Sequence, residues 1–270
     1  MAKENYWSHY EPSFALAIVT SIIFGILTVL HGWRLIKART WFCLPVFIGA
    51  IFEVVGFACR AVGNKNQYTL LPYILQALLI LLAPILFAAS VYMILGRLIR
   101  ATRGQEYSII RVNWVTKIFV GGDIFCFLMQ MVGAAFLASA KTKKTRDTGE
   151  MIILIGLIIQ IIIFSFFLVV SMIFHRRILR APTPISLSTT FRWKRFLVEL
   201  YLVSGLITLR NLFRVIEYAQ GEQGYFLSRE WPIYVLDALP MAVVVAICVL
   251  WHVGRVEDTE KTNVELNTRV

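Results

Sequence analysis

Residues 206–225 read LITLRNLFRVIEYAQGEQGY. The stretch decides the fold, because it sets Arg210, Arg214 and Glu217 inside a segment otherwise apolar enough to be buried in lipid. At 100° per residue the three fall within roughly a 60° arc of one helix face and form a charged stripe. A charged side chain near the bilayer centre costs about 2.5–3.5 kcal/mol on insertion scales. Three on one face must therefore look onto protein, water or a ligand, and the rest of the chain has to supply that interior.

The composition calls for a membrane. Of 270 residues, 58% are hydrophobic and 16% charged, with a mean hydropathy of +0.71, more apolar than soluble domains. The formal net charge of +11 sits in short loops between apolar runs, which is a topology signal, and no nucleic-acid partner is expected. Cys43, Cys59, Cys126 and Cys248 lie in or beside apolar runs with no metal-type spacing and read as small core residues. The apolar run after Met1–Glu11 is too long for a signal-peptide core, and no Asn-x-Ser/Thr sequon occurs.

Crossing a hydrocarbon core of about 30 Å takes about 20 apolar residues. Seven such runs are expected, at 12–35, 43–62, 71–95, 115–138, 149–174, 196–219 and 231–252. They give an all-α membrane protein, a seven-transmembrane-helix bundle in one domain, 1–252, followed by a solvated, largely disordered acidic tail, 253–270. Trp7, Trp33, Trp41, Trp114, Trp193, Trp231 and Trp251 fall at span ends, where indole favours the headgroup level. Loop cations concentrate on one side, in the groups around Arg34–Arg39, Arg97–Lys117, Arg176–Arg195 and Arg255–Arg269. That side is expected to be cytoplasmic, with the N-terminus outside and the C-terminus inside. The cluster Lys141–Arg146 runs against this rule, softened by Asp147 and Glu150. No internal repeat supports a rocking-repeat architecture.

Further polar residues interrupt the other spans. Glu53 and Arg60 share a face of the second, about 10 Å apart along the axis and too far for a direct pair; Arg60 reads equally as a snorkelling residue or a functional one. Asp123 and Gln130 repeat the spacing in the fourth span, Gln76 and Gln160 stand in the third and fifth, and Asp237 lies beside Pro240 in the seventh. Glutamines in spans read first as interhelical hydrogen-bonding groups. The expected arrangement is a polar pocket in the outer half, with Glu53 and Asp123 as its floor. Such a pocket is either an ion-pair network locking helices together or an amphiphile headgroup site, where arginines meet phosphate or carboxylate and carboxylates meet an amine.

A family pattern runs through these residues. It comprises Tyr10-Glu-Pro-Ser13, His31, Glu53-Val-Val-Gly56 with Arg60, Gln76, Ala83-Pro84, Tyr92-Met-Ile-Leu-Gly-Arg97, Asp123, Gln130, Gly156-Leu157 and Gln160. It continues with Leu200-Tyr201, Leu206-Ile207, Arg210, Phe213-Arg-Val-Ile-Glu217, Gly221, Gly224-Tyr225, Glu230, Tyr234, Asp237 and Met241. The chain resembles the fungal RTA-like lipid-translocating exporter family over residues 10–252. Departures are Phe57 for a tyrosine, Asn211 for a serine and Ala134-Ala135 for glycines. The resemblance implies a seven-span plasma-membrane protein linked to release of sphingoid long-chain bases, tolerance of toxic amphiphiles and, in one branch, porphyrin traffic.

The functional expectation is a translocator of amphiphilic lipids or toxicants, exporting them, with the bilayer and its lipids as partners and no cofactor. No Gly-x4-Gly-Lys-Ser/Thr sequence occurs, so any coupling would run through Glu53, Asp123 or Asp237. The alternative is a seven-helix receptor or stress sensor for amphiphiles. An enzyme is not expected: His31, His175 and His252 sit at three span ends, where a zinc site is geometrically conceivable, but none is paired at i, i+4.

Overall fold

The computed structural model describes residues 13–65, 69–139, 142–187, 193–221, 224–226 and 229–250. Trp7, Tyr10–Pro12, Lys141, Trp251, His252 and the tail 253–270 lie outside the described residues. Every regular element among the described residues is helical: α1 (Phe14–Ala38), α2 (Leu44–Lys65), α3 (Leu70–Ala101), α4 (Val112–Ala138), α5 (Lys143–Arg180), a one-turn α6 (Pro184–Leu187), α7 (Trp193–Ala219), and a π-helical segment (Ile233–Ala238) running into α8 (Leu239–Leu250). Short 3-10 turns sit at Trp41–Cys43 and Gln105–Tyr107. Seven helices are long and apolar enough to cross a membrane, the π segment and α8 forming the seventh. The protein is an integral membrane protein built as a seven-helix bundle.

Its surface is inverted relative to a soluble domain. Val29 and Ile36 stand about 70% exposed (71% and 69%), while Glu53, Arg60, Asp123, Arg210 and Asp237 are each 1% exposed. Apolar groups outside and ionisable groups inside are stable only in hydrocarbon. Two helices outrun their apolar cores. α3 continues to Ala101 and α5 extends from Lys143 to Arg180, about 57 Å at 1.5 Å per residue. Hydropathy marks only the lipid-crossing part of a helix, whereas intrahelical hydrogen bonds carry it on into the polar flanks. Thr142 Oγ1, accepting from Thr145 N at 3.3 Å, caps the start of α5.

α3 is the most enclosed span, packed on α2, α4 and α7. The tightest seam lies between α4 and α5. A Cβ on Gly133 would come within 2.8 Å of Gly149 O, and one on Gly149 within 2.9 Å of Gly133 O. Only glycine lets the two backbones approach so closely, the device by which membrane helices gain dispersion contacts without a hydrophobic drive. At the arginine-rich end, Thr183 Oγ1 donates to Thr102 O at 2.7 Å and Trp193 Nε1 to Ser186 O at 2.9 Å, tying the loops to the bundle.

The π segment has a local cause. Pro240 has no N–H to give to the carbonyl four residues back, and its ring crowds that turn. The wider π turn before it, closed by Leu239 N–H onto Tyr234 O, relieves the clash. It also turns Asp237 inward. Gly149→Ala is expected to destabilise the bundle by about 1–3 kcal/mol. Gly25→Ala, where nothing lies within 4 Å, is expected to be neutral or stabilising by up to about 1 kcal/mol. Unfolding in detergent micelles compares the two.

Candidate functional site

Arg210 is the centre of the buried polar region. Its Nε donates to Asp237 Oδ1 at 2.5 Å, its second amino group to Ile80 O at 3.0 Å, and its other to Asn211 Oδ1 at 3.5 Å. Ile80 can accept because Pro84, four residues on inside α3, has no N–H to occupy that carbonyl. A proline in one span thus prepares an acceptor for an arginine in another. Asp237 keeps a second oxygen, Oδ2, buried without a hydrogen-bond partner.

One turn further along α7, Arg214 donates to Glu217 Oε2 at 2.6 Å. This is an i, i+3 pair on the same helix face. Arg214 Nε is buried with no hydrogen-bond partner. Facing these groups from α2 is Glu53, in electrostatic contact with Asp237, Arg210 and Arg214. Both of its carboxylate oxygens are buried and accept no hydrogen bond. Arg210, Arg214, Glu217, Asp237 and Glu53, from α2, α7 and the seventh span, therefore form one constellation backed by α3.

Arg60 forms a second constellation at the end of the bundle where α7 finishes. It donates to Gln76 Oε1 at 3.3 Å, Tyr234 Oη at 3.2 Å and Glu230 Oε1 at 3.1 Å. Glu230 also accepts from Tyr234 Oη at 2.9 Å and from Ser13 N at 2.8 Å. Arg60 does not snorkel, because its nitrogens find better acceptors inside the protein than a reach to the interface would give. The remaining candidates stand apart. Asp123 Oδ2 accepts from Tyr92 Oη at 2.8 Å, the Tyr92 ring packs on Phe119, Phe164 and Phe167, and among the described residues no arginine interacts with Asp123. Gln130 Nε2 donates to Gln160 Oε1 at 2.9 Å, joining α4 to α5. Asp123, Gln130 and Gln160 thus belong to the α3–α4–α5 side, and Asp123 is not a floor to the arginine site.

Sequence reasoning missed Glu199 altogether. It is 3% exposed, with Oε1 unpartnered, and the one sequence signal for it was its place on the Arg210 face of α7, about three turns earlier. Glu230 and Tyr234 stood in the family pattern but had no assigned role. His31 Nε2 lies 3.5 Å from Cys43 O, and His175 pairs with Tyr201 Oη at 3.3 Å. Among the described residues no group of three or more His, Cys, Asp or Glu side chains is placed to hold a metal ion.

Chemically, the constellation offers both signs of charge within one buried space. A guanidinium with an unused N–H matches carboxylate or phosphate, and a carboxylate with two unused oxygens matches an ammonium. Comparison with known proteins places the chain among relatives. Residues 46–260 match the family described as "RTA1 like protein". The chain is 34% identical to a Saccharomyces cerevisiae protein named Protoporphyrin uptake protein 1, over 94% of each chain. It is 30% identical to a probable lipid transporter of Emericella nidulans, over 92% of this chain and 67% of that one. It is 25% identical to a sphingoid long-chain base transporter of Saccharomyces cerevisiae, over 96% and 76%. No solved structure matches the chain.

Asp237→Leu strands a buried guanidinium and is expected to cost about 3–5 kcal/mol of stability. The double variant Arg210→Leu/Asp237→Leu, which removes both charges, is expected to recover most of that loss. Denaturant unfolding of the single and double variants measures the difference.

Proposed function

The chain belongs to the RTA1-like family, whose named members include membrane transporters of lipids, and on that premise we propose that it moves amphiphiles across the bilayer by seating their charged headgroup between Glu53 and Arg214. The observation that carries the reading is the Glu53 carboxylate, buried with both oxygens unpartnered beside two arginines. A buried carboxylate without hydrogen bonds is costly, and an amine brought to it offsets that cost. A carboxylate or phosphate on the same headgroup engages Arg214 Nε, leaving the Arg210–Asp237 pair to hold the helices. Sphingoid bases carry an amine and porphyrins carry carboxylates, so the differently named relatives fall within what one two-signed site accepts.

The headgroup crosses along the polar interior while the tail remains in lipid, which spares the tail's transfer into water. The π segment, with its weaker hydrogen-bond ladder, supplies backbone that yields as Tyr234 shifts. The excess of arginine and lysine at the end bearing Arg34, Arg97 and Arg177 favours a cytoplasmic position for that end, with the Glu230 end outside. The direction is export, the membrane is the plasma membrane, and the outcome is tolerance of toxic amphiphiles.

The test uses liposomes containing only this protein and a fluorescent long-chain amine. Wild-type protein is expected to speed transbilayer movement. Glu53→Gln is expected to slow it tenfold or more, equivalent to about 1.4 kcal/mol of barrier, with an unchanged unfolding midpoint. Movement no faster than in empty liposomes would overturn the proposal. Loss of folding in Glu53→Gln together with full transport by Arg214→Gln would reduce the constellation to a helix lock.

A further inference from the structure

Arg210 and Asp237 meet between α7 and the seventh span, and both helices continue from that contact toward the arginine-rich end. Eleven residues back along α7, from 210 to 199, stands Glu199. Eleven residues forward along the neighbouring span, from 237 to 248, stands Cys248. Eleven residues make about three turns and about 16 Å, so each lands on the same inward face as the residue it started from. The two are in electrostatic contact. The register that pairs Arg210 with Asp237 therefore repeats one level down.

Between the two levels lies an apolar belt of Val203 and Ile207 from α7 and Met241, Val244 and Val245 from α8, all buried. Below it, Cys248 also faces Cys43 of the 3-10 turn, and Cys43 O lies beside the His31 ring of α1. Two atoms here are buried without a hydrogen-bond partner, Glu199 Oε1 and His31 Nδ1. Among the described residues the charged and titratable neighbours are few. Arg195, one turn back on α7, interacts with Glu199. Arg97 of α3 lies over the ring of Phe42, next to Cys43, with 4.3 Å to the ring centroid. His175 of α5 is engaged with Tyr201, and Arg34 of α1 donates to Val249 O and Leu250 O. One turn past His31, a cavity of about 550 Å³ lined by Trp33, Arg34, Lys37, Ala38 and Leu250 opens at the same end.

We infer that Glu199 and His31 form a proton-exchange site at the arginine-rich end, separate from the headgroup site above the belt. The proton is the ligand that suits it, since Glu199 is linked to His31 only by way of Cys248, Cys43 and the Cys43 carbonyl, and among the described residues no group of three or more His, Cys, Asp or Glu side chains is placed to hold a larger cation. With a proton on Oε1 the unsatisfied lone pairs of a buried carboxylate are relieved; without it, the neighbouring Arg195 charge stabilises the anion. Exchange transfers the proton from hydronium in the water at the arginine-rich end to the His31 ring or the Glu199 carboxylate and returns water. Only N–H and O–H bonds change.

The experiment is infrared difference spectroscopy on the purified protein in lipid nanodiscs, with bulk pH stepped from about 4 to about 9, the range that spans carboxyl and imidazole titration. Wild-type protein is expected to show a carboxylic acid C=O band that follows bulk pH and disappears in Glu199→Gln. Glu199→Asp, which keeps a carboxyl, is expected to retain a titrating band at a shifted frequency, and it serves if Glu199→Gln fails to fold. Glu53→Gln is expected to leave the Glu199 band in place. His31→Gln is expected to move the band's midpoint by about half a pH unit or more, and an unmoved midpoint would remove His31 from the site. Equal titrating intensity in Glu199→Gln and wild type, or a Glu199 band indifferent to bulk pH, would overturn the assignment. No transported substrate enters the measurement, so its failure and that of the headgroup proposal are read separately.

Discussion

A guanidinium in hydrocarbon must be neutralised and hydrogen-bonded by its own protein, and Arg210 imposes that requirement on three helices at once. Asp237 supplies the countercharge from the seventh span. Ile80 supplies a carbonyl that Pro84 has released from the α3 ladder. Neither partner would suffice alone, because a carboxylate leaves N–H groups over and a carbonyl leaves the charge uncompensated. Satisfying both fixes the rotation of α3, α7 and the π segment about their axes, and Glu53 on α2 falls opposite the same stripe as a result.

The legible part of the fold is the part governed by long-range averages. Apolar length marks a span wherever it occurs, and the face shared by Arg210, Arg214 and Glu217 follows from helical periodicity alone. Pairings do not follow in that way. Nothing in the spacing of Asp123 distinguishes a residue facing arginines from one facing Tyr92 and a ring of phenylalanines, because that depends on which face of α4 meets which neighbour. Glu199 escaped notice for the opposite reason: it sits near the polar end of α7 among Lys194 and Arg195, where a glutamate reads as a solvated residue until the structure shows it buried. Arg60 was ambiguous because snorkelling and internal pairing place the same residue at the same depth, and the choice rests on Glu230, 170 positions away.

The interior is layered. Arg60 with Glu230, Tyr234 and Gln76 closes one end, the Arg210 constellation lies beneath it, an apolar belt follows, and Glu199 with His31 occupies the other end. The α4–α5 pair, sealed by glycines and by the Gln130–Gln160 bond, stands outside this column. Rigidity and polarity are thus divided between two halves of the bundle. The half with close backbone contacts carries few ionisable groups, and the half with ion pairs carries the irregular helix. Side-chain pairs can exchange partners at modest cost, whereas interlocked backbones cannot slide without losing contact along their whole length.

The bond from Ser13 N to Glu230 has a bearing on how the chain is made. Glu230 holds the first turn of α1 and the guanidinium of Arg60 together, yet a ribosome delivers it after six spans have already left the exit tunnel. Until then the second helix carries a cation whose countercharge does not exist, and the amino-terminal hairpin has no fixed mate. Insertion is therefore sequential but assembly is not: the bundle is completed only by its last-born span.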